Sequence, residues 1–402
     1  MKTLLLTDIP PSSNLTAGIV TAQMCRCVAA DELAIFCVLN RHLTPDLYPD
    51  LAAIPSKTVH KPNEQNPRNP KYFPLDLARA FASETIRRRT VIPSLVREAI
   101  AYGREQGVTS LWAILQGQTM VRIAGAVAEG LNVPLRAQVW DPLGWWLRAH
   151  GVDRFNRRAD LAKFDETMRQ ATTCAAASWA MARQYKEQYG TTSYVIIASL
   201  DEALAHKPVP ALRNSDEVVI GMAGQFYAEQ EWHDLLQALN LAGWQIGGRK
   251  IVVRVAGHAP PRTETAQAAS IEFLGWRSQP ELIDILSTTC DIMYCPYPFS
   301  PQMEEVARLS FPSKIPTYLA AGRPILFHGP DYASPAHYLR ERGAGLICRT
   351  GEPAAVYNAV LQLVEDTELY AELAVAAQAA FEADFALNSM KKSVRNFLGY
   401  SD

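Results

Sequence analysis

Short apolar runs alternate with stretches of helical spacing along the whole chain, and they do so in two separate series. In the first half the runs fall at 4–8, 33–38, 111–115, 134–139 and 194–198. Runs this short, with little polar alternation, suit strands buried on both faces of a parallel sheet. Between them, 75–89, 92–106, 119–131, 154–170 and 178–189 carry helical spacing. A second series runs through 218–224, 251–258, 271–276, 291–297, 325–327 and 345–348, with helices expected over 229–242, 280–288, 353–364 and 368–385. Strands alternating with helices twice over predict an α/β chain of two parallel-sheet domains facing a central cleft. The expected boundaries are 1–200, a linker at 201–216 containing Lys207-Pro208-Val209-Pro210, a second domain at 217–385, and a C-terminal segment at 386–402 packing back on the first domain.

At 402 residues the chain has room for two or three cores. Its net charge of -2 hides an asymmetry: residues 1–200 hold 23 Lys+Arg against 17 Asp+Glu, and the rest hold 16 against 24. A basic first half favours an anionic acceptor or an anionic surface. The densest basic cluster is Arg87-Arg88-Arg89, read either as a solvated helix end or as a weak contact with anionic lipid. No run approaches the ~18 apolar residues of a membrane span. The expected location is cytoplasmic, with any membrane contact peripheral, at the inner face, and no nucleic-acid partner is expected. The seven cysteines are spread thinly: Cys25-Arg26-Cys27 lacks metal-ligand spacing and the other five sit in apolar runs, as buried thiols do. No metal site is expected.

The stretch Phe311-Pro312-Ser313-Lys314-Ile315-Pro316-Thr317-Tyr318-Leu319-Ala320-Ala321-Gly322-Arg323-Pro324 reads as a loop, a short helix, a turn and the approach to a buried strand. Ser313 is the expected N-cap and Gly322 suits the left-handed position that ends a helix. Free amides of a first turn attract anions, and Lys314 adds a full charge beside them. A diphosphate would fit there, and so would an ordinary helix start with no ligand. In the first half, the loop 10–18 between a strand and a helix places Gly18 nearest a ligand, or makes it a mere turn glycine. Trp140-Asp141-Pro142-Leu143-Gly144-Trp145-Trp146 ends a strand with a carboxylate among aromatic rings. Sugar faces stack on such rings and carboxylates accept from hydroxyls. A turn flanked by core aromatics is the plainer reading.

Phe-Pro-Ser-Lys followed by Tyr-Leu-Ala-Ala-Gly-Arg-Pro resembles the donor-binding motif of retaining GT-B glycosyltransferases of family 4, the glycosyl transferases group 1, and the resemblance spans most of 217–385. The first half resembles the family more loosely, at the Gly18 loop, the Trp140-Asp141 strand end and the Ala177-Ser178 step. The resemblance implies a GT-B fold of two Rossmann-like domains. It implies transfer of a sugar from a nucleotide-sugar donor to a hydroxyl acceptor, a cell-surface glycan or lipid-linked sugar, with retention and without a catalytic metal or other cofactor. Residue by residue it implies a donor-binding set of Gly18, Gly224, Arg254, Gly275, Trp276, Ser313, Lys314 and Thr317. Trp140, Asp141 and Trp145 would meet the acceptor, and Asp141 and Lys314 would carry the catalytic roles.

Three departures accompany it. Trp140 stands where the family has a His. Gly224-Gln225 and Gln230-Glu231 stand where two cations would hold the diphosphate, leaving Lys314, Arg254 or Arg308 to substitute. The glutamate that grips the donor ribose falls at Thr317, with Glu304 and Glu305 near the family's other glutamate. These departures also suit a second expectation, a GT-B subunit that no longer catalyses and serves as a glycan- or partner-binding module.

Overall fold

The computed structural model describes residues 1–62, 64, 75–213, 216–224, 227–260 and 270–400, with the side chains of 75–80 excepted. The chain forms two compact units, Met1–Ile197 with Lys391–Asp402, and Ala198–Met390.

Among the described residues unit 1 is built on seven strands: β1 (Thr3–Thr7), β2 (Leu33–Asn40), β3 (Ser56–Lys61), β4 (Ser110–Ile114), β5 (Leu135–Val139), β6 (Ala171–Ala176) and β7 (Thr192–Val195). Their order is β3-β2-β1-β4-β5-β6-β7, and every pairing is parallel. β1, β2, β4 and β5 are buried along their whole length, which is why they read as unbroken apolar runs. The order reverses between β1 and β4, so the carboxyl ends of those two strands mark this unit's switch point.

Helix ends follow local chemistry. Arg154–Gln170 begins where the Asp153 carboxylate accepts the Phe155 and Asn156 amides, and Trp179–Tyr189 where the Ser178 hydroxyl accepts that of Met181. The first helix is Thr16–Cys25, so Gly18 lies inside it and not in the preceding loop. A Cβ on Gly18 would strike the Ser12 side chain and lie 2.9 Å from the Pro10 carbonyl oxygen. The glycine is required by the turn that packs on the helix.

The arginine run is solvated only in part. Arg87 is buried, 3.3 Å from Glu84 and 3.5 Å from the Gln118 side-chain oxygen, and Arg88 donates to Glu84 (2.9 Å) and Asn156 (2.8 Å). Arg122 joins Glu84 to Asp160. Arg87 is therefore not part of a solvated helix end, whereas Arg88, though paired with Glu84, and Arg89 are exposed.

The end of the chain is fastened to unit 1. Arg136 donates to Ser110, Thr173 and the Phe397 carbonyl, and the hydroxyls of Thr3 and Tyr400 lie 3.0 Å apart. Phe397 meets Trp112 edge-on.

Unit 2 carries β8 (Glu217–Ala223), β9 (Gln245–Ile246), β10 (Arg249–Ala256), β11 (Ile271–Gly275), β12 (Ile292–Pro296), β13 (Ile325–His328) and β14 (Gly345–Cys348). The parallel order is β11-β10-β8-β12-β13-β14, with β9 antiparallel on β10. Its switch point lies between β8 and β12. One side of the sheet packs against Trp232, Leu235, Leu236, Val360 and Tyr370, each large apolar side chain contributing about 1.5–3 kcal/mol by burial. The described part of the expected linker packs into this unit: His206 and Val209 donate backbone hydrogen bonds to Ala320 and Gly322. Arg213 donates to the buried Asp291 carboxylate, which also accepts the Val219 amide. A carboxylate with no exposure needs such donors.

Candidate functional site

The carboxyl edge of the unit 2 sheet is lined by glycines. Gly224 follows β8 with φ 91° and donates to the Ala256 carbonyl, and Gly257 donates to that of Gly275, itself at φ 71°. A Cβ on Gly257 would lie 3.2 Å from the Gly224 oxygen, a tight contact that glycine avoids, and Gly224 itself needs the positive φ that glycine adopts freely.

Lys314 opens the seven-residue helix Lys314–Ala320 beside this edge. Its Nζ lies 5.0 Å from the Tyr227 ring centroid, and its Cε would sit 3.7 Å from a Cβ on Gly224. Burial pushes the Lys314 pKa down. Tyr318 fixes the helix to β8 by accepting the Ala223 amide at 2.8 Å. The expected N-cap is not formed: Ser313 has helical backbone angles and its side chain caps nothing. With so short a helix, the charge of Lys314 and not the helix start is what an anion would meet.

Trp276 is 62% exposed just past Gly275, its ring 6.4 Å from His258 and tilted by 30°. Thr317 is buried beneath this edge and accepts from the Gln279 side-chain amide at 2.8 Å. Arg254 is not brought here. Its guanidinium pairs with Glu272 at 2.6 Å and donates to the Thr289 carbonyl at the far end of helix Gln279–Thr289. Arg308 is likewise engaged, with Glu304 and the Tyr332 ring. Gln225 lies outside the described residues. Tyr227, Gln279 and Tyr318 are the neighbours that sequence reasoning missed; nothing local marks them until the fold sets them beside Lys314 and Thr317.

In unit 1, Trp140 and Asp141 are half-buried just past β5 and Trp145 is half-buried on Leu143–Ala149. Trp146 is buried, stacked on His150 at 3.9 Å. At the β1/β4 switch point stands a cluster with no mark in the sequence beyond a carboxylate ending the first strand. Lys61 is 1% exposed, 3.3 Å from Glu64 and 3.8 Å from Asp8. Glu64 accepts the Gln118 and Thr119 amides and the Thr119 hydroxyl at the start of helix Gly117–Leu131. Burial pushes Asp8 up. Burial also resists ionisation of Glu64, but Lys61 and the Thr119 bonds outweigh it and hold Glu64 below the usual range. Lys61 is raised, because Glu64 and Asp8 overcome its desolvation.

The fold of these two parallel-sheet units is GT-B, as its likeness to the solved structures below shows. Residues 217–366 match the family described as "Glycosyl transferases group 1", and the resemblance read from 311–324 holds for that segment. Over its whole length the chain is similar to Anabaena HepE, solved in complex with UDP-glucose (16% identity, 99% of this chain and 100% of that one, TM-score 0.63). It is also similar to the sucrose-phosphate synthase of Thermosynechococcus elongatus (12% identity, 98% of each chain, TM-score 0.66). At these identities the likeness is one of fold. A 109-residue stretch is 34% identical to "Glucosyltransferase 3" of Streptococcus gordonii; it covers 26% of this chain and 32% of that protein, so the match spans about a third of the relative's length. Among the described residues no helix is long and apolar enough to cross a membrane, and no group of three His, Cys, Asp or Glu could hold a metal ion.

Proposed function

We propose that the protein is a glycosyltransferase that moves a sugar from a UDP-sugar to a hydroxyl acceptor, with retention of anomeric configuration. The observation that carries this is the family match over 217–366, within which Gly224, Gly275, Trp276 and Lys314 all lie along the carboxyl edge of one sheet. HepE binds UDP-glucose, and the same donor chemistry is proposed for unit 2. Lys314 offsets charge on the diphosphate, the glycine edge lets the donor approach backbone, and the Gly275-Trp276 turn meets the base. The bond from the anomeric carbon to the diphosphate breaks, the acceptor oxygen bonds to that carbon, and the departing phosphate oxygen takes the acceptor proton. Asp141 orients the acceptor, with Trp140 and Trp145 against its apolar faces. The acceptor class is a cell-surface glycan or a lipid-linked sugar, and no metal takes part.

A second reading is a subunit that binds without catalysing. It is favoured by the commitment of Arg254 to Glu272 and of Arg308 to Glu304, two of the three cations that could substitute at the diphosphate. Calorimetry of the full chain with UDP, GDP, TDP and ADP, followed by UDP release from UDP-glucose with sugar acceptors in EDTA, separates the two. UDP binding with turnover is expected. Binding without turnover favours the second reading, and no binding of any nucleotide overturns the donor assignment. An inverted product anomer by NMR overturns retention. Asp141→Asn is expected to reduce turnover at least tenfold with donor affinity unchanged.

A further inference from the structure

Beside the unit 1 cluster stands an acceptor atom that nothing among the described residues satisfies. The Asn40 Oδ1 atom, on a residue 7% exposed at the carboxyl end of β2, has no hydrogen-bond partner among the described residues. Asn40 pairs in register with Lys61, so both side chains leave the same face of the sheet. Leu6 pairs with Phe36, so Asp8, two residues on, leaves that face too. Asp8 retains 16% exposure, whereas Lys61 and Glu64 are closed off. The loops after β1 and β2 are tied to each other around it. Ser13 donates to the Asp46 carbonyl, the Asn14 side chain to that of Thr44, and the Asp46 amide to the Asn14 side-chain oxygen.

We propose that Asp8 and Asn40 form a subsite for the hydroxyl groups of a neutral sugar. The Asp8 carboxylate accepts and the Asn40 amide can both accept and donate, so the occupant must bring hydrogen-bond donors and can use acceptors as well. An anion would face the carboxylates of Asp8 and Glu64. A cation would face Lys61, whose ammonium already serves both. A polyhydroxyl compound brings donors without charge. A polar atom left unpaired in a packed interior is costly, and it persists where binding uses it. Asp8 ends β1, the strand that borders the switch point, and Asn40 ends the adjacent β2, so the subsite lies on the carboxyl edge of the sheet, where such folds take ligands. It rests on the glycosyl-transfer reading, for which it supplies the acceptor class, a neutral sugar in place of the anionic acceptor that a basic first half suggests.

The test uses the full chain with glucose as the probe in saturation-transfer NMR, and UDP calorimetry on the same samples. The expected result is glucose binding that falls at least tenfold in both Asp8→Asn and Asn40→Leu and that inorganic phosphate does not compete away. Asn40→Leu is also expected to raise Tm, by about 2–4 °C, because it removes an unpaired acceptor at nearly constant volume. A structural asparagine would instead give a lower Tm. Glucose binding that survives both variants, competition by phosphate, a fall in Tm for Asn40→Leu, or no glucose binding in the unaltered chain would each overturn the subsite. Loss of UDP binding overturns the donor assignment and leaves the glucose comparison to decide this one.

Discussion

The Lys314 ammonium lies 5.0 Å from the centre of the Tyr227 ring, beside the glycine that ends β8. A cation held against a ring face in a partly desolvated site keeps its charge at a cost, and burial lowers its pKa accordingly. Lys314→Ala is expected to weaken UDP binding by about 1.5–3 kcal/mol, the worth of a charged contact to phosphate. Because the diphosphate needs the protonated form, affinity should fall as pH rises through the lowered pKa, before the ordinary lysine value of 10.5 is reached. Calorimetry across that range checks both points. A parallel decline in Lys314→Ala would remove Lys314 from the site.

Gly18 and Arg254 carry the opposite expectation. Gly18→Ala drives a Cβ into Ser12, and Arg254→Met removes the partner of Glu272. The first should cost about 2–3 kcal/mol as overpacking and the second about 1 kcal/mol, since Glu272 is half exposed. Neither should change the affinity for UDP by more than about twofold, within the ±0.5 kcal/mol of a substitution away from the site. Thermal melts and UDP titrations of the two variants measure this. A tenfold loss of UDP affinity in either would return that residue to the donor site.

The order of strands and helices is legible because parallel strands covered on both faces are short, contiguous and apolar, as in β1 and β2. The helix Arg154–Gln170 is legible at both ends because Asp153 caps it locally. Gly18 is placed in the loop by its neighbours in sequence, whereas it lies in the first turn of helix Thr16–Cys25 against Ser12 and Pro10, a packing that only the fold sets. Arg87 is misread because its partners Glu84 and Gln118 are set by packing. The motif at 311–324 locates Lys314, but the ring beside it and the Gln279 bond to Thr317 come from other loops. Asp8, Asn40, Lys61 and Glu64 are polar residues of no local pattern that three parallel strands and one helix start bring to a single edge.

The Lys61–Glu64 pair predicts a pH signature. The Glu64 pKa is lowered in the folded chain, so its contribution is complete above the ordinary glutamate value of 4.5 and is lost as pH falls through the lowered one. Lys61 is raised, so its contribution is complete below 10.5 and is lost as pH rises through the raised value. Glu64→Gln leaves Lys61 with Asp8 alone and should cost about 3 kcal/mol at neutral pH, as breaking a buried pair does. The difference from the unaltered chain should shrink as pH falls below 4.5. Urea unfolding between pH 3 and pH 7 reads it, and a difference that does not vary with pH would deny Glu64 an ionised role.

The last expectation concerns Arg136 and Gly399. Arg136 reaches the Phe397 carbonyl at 2.8 Å while bonded to Ser110 and Thr173, so one side chain joins β4, β5, β6 and the end of the chain. Gly399 has φ 74°, and a Cβ there would strike the Arg136 guanidinium. Gly399→Ala therefore carries two costs, roughly 1–2 kcal/mol for the left-handed backbone and a further 1.5–3 kcal/mol for displacing a charged donor from a buried carbonyl. In an Arg136→Met background the second cost has already been incurred, so Gly399→Ala should cost only the backbone part. Urea unfolding of the two single variants and the double variant gives the coupling, expected at about 1.5 kcal/mol or more. Additive costs would mean that Arg136 does not hold the terminal helix through Phe397.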